Sequence, residues 1–71
     1  MGSLALKIGQ NISNIRKKQG VAQEQLALIA GLDRSYMGRI ERGEGNVTVK
    51  VIYGLAEALS CDISELLPKR I

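Results

Sequence analysis

Residues 23–43, QEQLALIAGLDRSYMGRIERG, constrain this chain more than any other stretch. Leu26, Ala27, Ile29 and Ala30 form one apolar cluster and Met37 with Ile40 a second, both at helical spacing, with Gly31 between them. Gly31 stands where a left-handed residue would end the first of two helices, and Asp33 is a good N-cap for the next. The connection is about three residues, Gly31, Leu32 and Asp33. A link that short forces the helices to pack at a steep angle, with Leu32 plugging the corner.

The second helix of this pair carries the chemistry. With Asp33 as its cap, Arg34, Ser35 and Tyr36 fill the first turn, Arg39 and Arg42 follow near the same exposed side, and Met37 and Ile40 face inward. Gly38 lies mid-helix at a cost of roughly 1 kcal/mol relative to Ala, which suggests close approach by another backbone. On an arbitrary surface helix, three arginines more often serve solubility. The short turn and the adjacent Arg34 and Ser35 instead favour a helix-turn-helix whose second helix enters a DNA major groove. The guanidinium of Arg34 or Arg39 can fork onto O6 and N7 of guanine, a pairing that discriminates by about 1–3 kcal/mol. The same groups could equally pin phosphates, and the Ser35 hydroxyl suits either partner.

With 71 residues and no Phe or Trp, the core must be built from Leu, Ile, Val and Ala, which suits a compact helical bundle. A core of this size supplies only roughly 3–5 kcal/mol, so dimerisation would help it. The formal charge of +3 favours polyanions without identifying one. Cys61 as sole cysteine and the lack of histidine exclude an intrachain disulfide framework, a zinc finger and a Cys-His nucleophile, and leave Cys61 a packing role. No metal, cofactor or enzymatic activity is expected, since there is also no glycine-rich phosphate loop and no room for a pocket. No stretch approaches the roughly 20 apolar residues of a membrane span, and the start MGSLALKIGQ lacks signal-peptide character, so a cytoplasmic protein is expected.

The rest of the chain reads as helix too. Leu4, Ile8, Ile12 and Ile15 repeat along a first helix from about residue 4 to 19, whose last turn holds Arg16, Lys17 and Lys18, and Gly20 stops it. Ala22 opens the second helix where a Ser or Thr cap would add about 1 kcal/mol. After a loop of Gly43, Glu44, Gly45 and Asn46, Thr48 caps a fourth helix carrying Val49, Ile52, Leu55, Ala56 and Leu59. Residues 47–52 are rich in β-branched side chains, yet the cap and Lys50 favour helix. Asp62 and Glu65 form a capping box for a short fifth helix with Ile63, Leu66 and Leu67, ended by Pro68. The expectation is an all-α, compact five-helix bundle forming a single domain over residues 1–71.

Several segments together resemble the phage repressor/Cro-like, or XRE, family of helix-turn-helix proteins. They are Ile15 and Arg16 in the first helix; Gln23, Glu24, Gln25, Leu26 and Ala27 opening the second; and Ala30, Gly31 and Leu32 at the turn. Ile40, Glu41, Arg42 and Gly43 close the third, and Leu55, Ala56, Glu57, Ala58 and Leu59 lie in the fourth. The likeness runs from about Ile8 to Leu67, and the run from Leu32 to Tyr36, with the chain length, looks like the controller proteins of restriction-modification systems.

The resemblance implies a lambda-repressor-like fold with the helix-turn-helix at residues 23–42. It implies that Gln23 binds a phosphate and braces the first turn of the third helix, that Arg34, Ser35 and Arg39 face base edges, and that Tyr36 and Arg42 contact the DNA backbone. It also places Arg16 beside Glu41 as a partly buried structural salt bridge. The chain departs from the family at Val47, where many relatives have proline, and at the weak cap Ala22; neither touches the reading surface.

One copy of the third helix reads only a few base pairs. A two-fold homodimer on a near-palindrome is therefore expected, with half-sites about 34 Å apart or a multiple of it. The region of about residues 49–67 would pair the copies through Ile52, Tyr53, Leu67 and Ile71, which exceed what one apolar stripe per helix needs. Ile52 could instead complete the monomer core. The implied partners are double-stranded DNA and a second copy, with no membrane and no small-molecule ligand, in a sequence-specific transcription regulator that could also contact polymerase. The alternative is an antitoxin-type module that binds a toxin while autoregulating its operon.

Overall fold

Four α-helices and one 3-10 turn make up the computed structural model, which describes residues 3–69: α1 Ser3–Lys18, α2 Gln23–Ala30, α3 Arg34–Glu41, α4 Val49–Ala58, and the turn Ile63–Glu65. Each boundary has a local cause. α1 ends in Arg16, Lys17 and Lys18, cations that complement the negative end of a helix, and Gly20 follows at φ 71°. α2 starts at Ala22 without a side-chain cap, although Gln25 Oε1 accepts from the Ala22 N–H at 3.4 Å. It stops at Gly31, whose φ of 71° is left-handed, and the Leu32 N–H donates to Ala27 O at 2.8 Å. Asp33 Oδ2 then accepts from the N–H groups of Ser35 (2.9 Å) and Tyr36 (3.4 Å), and Thr48 Oγ1 accepts from Val51 N–H (3.2 Å) at the start of α4.

One core gathers the inward faces: Ile8 and Ile12 from α1, Leu26 and Ala27 from α2, Met37 and Ile40 from α3, Ile52, Leu55 and Ala56 from α4, and then Leu59 and Leu66. Leu32 packs at the corner of the turn, and Cys61 lies against the core with its thiol pKa pushed up by partial burial. α1 crosses α3 so closely that a Cβ on Gly9 would stand 2.7 Å from the Glu41 carbonyl oxygen and closer still to that of Ile40. Glycine at residue 9 is what permits the crossing. Two side chains tie α1 to the C-terminal part: Asn11 Nδ2 donates to Leu66 O (3.1 Å) and Gln19 Nε2 to Leu59 O (2.7 Å).

Three expectations need correction. The fifth helix is a single 3-10 turn, closed by Glu65 N–H to Asp62 O and Leu66 N–H to Ile63 O, both 2.9 Å. The capping box forms as read, with Asp62 Oδ1 accepting from Ser64 N–H and Glu65 Oε2 from Asp62 N–H, but Pro68 has no N–H to extend the ladder and disfavours helical backbone at Leu67. Ile52 is 5% exposed and sits in the core with Leu55, Ala56 and Leu59, one turn apart on the same face of α4, so it has little surface for a second copy. At Gly38 no foreign backbone approaches; the space a Cβ would take borders the side chains of Arg42 (Nη1, 3.1 Å) and Gln23 (Oε1, 3.7 Å). Ile71, named for the interface, lies outside the described residues.

Candidate nucleic-acid interface

The inward side of α3 is fixed by apolar burial and by one ion pair. Met37 is fully buried and Ile40 is 4% exposed. Next to Ile40, Glu41 receives a two-pronged bond from Arg16, Nε to Oε2 at 2.7 Å and Nη2 to Oε1 at 2.9 Å, and Arg16 Nη1 also donates to Val21 O at 2.9 Å. The two side chains are only 11% and 6% exposed, and the bond to Glu41 raises the arginine pKa further above its ordinary value. This pair clamps the end of α3 to α1 and to the entrance of α2.

With that side held, α3 turns Arg34, Ser35 and Arg39 to solvent. The Arg34 side chain is 76% exposed and meets Glu24 on α2, Nη2 to Oε2, at 2.6 Å. Ser35 stands in the first turn, its N–H bound by Asp33. Arg39 lies with its guanidinium carbon 5.8 Å from the centre of the Tyr36 ring, within range of a cation–π attraction that orients it. Tyr36 is half-buried against the core, which fixes its ring. Gln23, the first residue of α2, is half-buried with its Oε1 over the middle of α3 near Gly38. Arg42 caps α3 and pairs with Glu44, Nε to Oε2 at 3.0 Å, which raises the arginine pKa and lowers that of the carboxylate.

Two acids in this set escaped the sequence reading, Glu24 and Glu44. Each had a signal: Glu24 follows Gln23 at the start of α2, beside the N-terminus of α3, and Glu44 is two residues from Arg42. They leave the surface of α3 with its cations held in place by neighbours that phosphates or base edges can displace. The residues assigned to the second helix start and to α3 thus share one surface, whereas Tyr53 (59% exposed) and Leu67 (38% exposed) lie on α4 and beyond the 3-10 turn. Among the described residues no cluster of His, Cys, Asp or Glu could hold a metal, and no helix is long and apolar enough to cross a membrane.

Known proteins share this arrangement. The helix-turn-helix family model HTH_3 matches residues 12–66. The control protein C.SmaI of Serratia marcescens is 40% identical over 63 residues, covering 89% of this chain and 75% of that protein. The restriction-modification controller protein C.AhdI from Aeromonas hydrophila has a crystal structure 44% identical in sequence with a TM-score of 0.85, covering 89% of this chain and 96% of that one. SinR, a master regulator for biofilm formation solved in complex with DNA, is 32% identical with a TM-score of 0.77, covering 83% of this chain and 95% of its own. These relatives are DNA-binding regulators and not enzymes, and the chain belongs to the XRE-type helix-turn-helix family of transcription regulators.

Proposed function

We propose that this protein is a sequence-specific transcription regulator that binds a near-palindromic operator as a homodimer. The observation that carries the reading is the two-sided construction of α3: Met37, Ile40 and Glu41 hold it from within, while Arg34, Ser35 and Arg39 stand free on the opposite side behind an N-terminus capped by Asp33. Arg34 and Arg39 supply the forked donors that guanine O6 and N7 accept, and Ser35 a hydroxyl for a neighbouring base. Gln23, Tyr36 and Arg42 fix the orientation by donating to phosphates. The relatives support regulation of DNA by this surface, one of them having been solved on DNA. Tyr53 and Leu67 are the exposed apolar residues best placed to join two copies outside the reading surface.

Selection of random duplexes by the purified protein, followed by binding of the winners across a salt series, tests the proposal. A palindromic consensus whose affinity falls steeply with salt is the expected result, because phosphate contacts release counterions. Binding with no sequence preference would overturn it.

A further inference from the structure

α4 shows solvent a stripe that its own chain does not use. Val49 is 66% and Tyr53 59% exposed, and Lys50 and Glu57 point outward with no ion pair among the described residues. An open groove beside them is lined by Lys50, Tyr53, Gly54, Glu57, Cys61 and Ile63. Gly54 is the informative member. Glycine weakens a helix interior, and the close approach that justifies Gly9 is absent here, since nothing in the described chain comes within 4 Å of where its Cβ would be. What needs the space at Gly54 is therefore outside the chain.

Charge placement identifies the occupant. Lys50 and Glu57 are seven residues apart, about two helical turns, so they share a face with opposite signs at its two ends. The pairs 50/57 and 53/54 have the same midpoint. If a second α4 lies antiparallel across this face, one two-fold axis sets Tyr53 on Gly54 of the second copy and Lys50 against Glu57 of the second copy, twice each, as an isologous contact demands. We infer that two copies of this chain pair α4 against α4, antiparallel, about an axis passing between Tyr53 and Gly54. The inference rests on the dimer reading above and adds its register, the role of Gly54 and the charges that select it.

The test is sedimentation equilibrium of the full chain at low salt. Lys50→Glu and Glu57→Lys each set like charges opposite one another twice per dimer, and each should raise the dimer dissociation constant about tenfold or more. An equimolar mixture of the two variants restores both attractions and should dimerise as tightly as the wild type. Gly54→Leu should raise the thermal stability of dilute monomer, by its higher helix propensity, while weakening the dimer. Single variants that dimerise like the wild type, or a mixture no tighter than its components, would overturn the register and leave the dimer reading standing. A wild-type chain monomeric at every concentration would overturn both.

Discussion

Replacing Arg16 by Ala should remove about half of the stability of this fold. The substitution deletes two bonds to Glu41 and one to Val21 O, at 2.7, 2.9 and 2.9 Å, and strands a carboxylate whose side chain is 6% exposed. Breaking a buried pair from one side costs about 3–5 kcal/mol. In so small a protein no side chain lies far from water, so the stranded Glu41 can relax outward, and about 3 kcal/mol is the figure to expect. At about 0.05–0.15 kcal/mol per residue, a chain of 71 residues has about 4–11 kcal/mol in total. Domains of this size lose about 4–8 °C per kcal/mol, so Tm should fall by about 12–24 °C. The assay is thermal and urea denaturation followed by circular dichroism, at one fixed protein concentration because dimerisation shifts the midpoint. Arg16→Met combined with Glu41→Leu should recover most of the loss, since it removes the unpaired charge along with the pair. A loss below about 1 kcal/mol for Arg16→Ala, or no recovery in the double variant, would refute the reasoning.

Other outcomes follow from the same geometry. Gly9→Ala sets a methyl group 2.7 Å from the Glu41 carbonyl oxygen, forcing α1 and α3 apart, and should lower stability by about 1–3 kcal/mol in urea titrations. Glu24→Gln releases Arg34 from the carboxylate now 2.6 Å away and removes a negative charge beside the DNA surface; affinity for duplex at low salt should rise severalfold by fluorescence anisotropy, and unchanged binding would count against the surface. Asp62 accepts from Ser64 N–H at 2.9 Å, which holds its pKa below the ordinary aspartate value. Because the folded pKa is the lower one, its contribution is full above the unfolded value and is lost as pH falls through the folded one. Asp62→Asn should therefore flatten the acid limb of a stability–pH curve below about pH 4 and leave its shape near pH 7 unchanged.

Much of the fold is legible because the chain marks its own boundaries. Gly31, Asp33 and Thr48 each perform the backbone task their type suggests, and α4 forms despite the β-branched residues at 47–52 because Thr48 caps it and Ile52, Leu55, Ala56 and Leu59 fall on one face. The fifth helix is overstated by sequence because a capping box needs residues to propagate into, and only five separate Asp62 from Pro68. The assignment of Ile52 to an interface fails for a related reason. A wide apolar stripe does not say where core ends and exposed surface begins, and one turn of rotation separates Ile52 from Tyr53 in consequence though not in sequence. The site is readable where side chains share a helix, as Arg34, Ser35 and Arg39 do. Its cross-element pairs are less so: Glu24 meets Arg34 only through the angle of the turn, a tertiary fact with no local signature.

The claim that the outer face of α3 reads sequence is tested most directly by measuring binding of wild type and Arg39→Ala to every single-base variant of the selected site. If Arg39 reads a base, the wild-type profile should show a penalty of about 1–3 kcal/mol at one base pair per half-site that vanishes in the variant, with the other positions unchanged. A uniform loss of affinity at all positions, with every preference intact, would show that Arg39 holds a phosphate and would contradict the account.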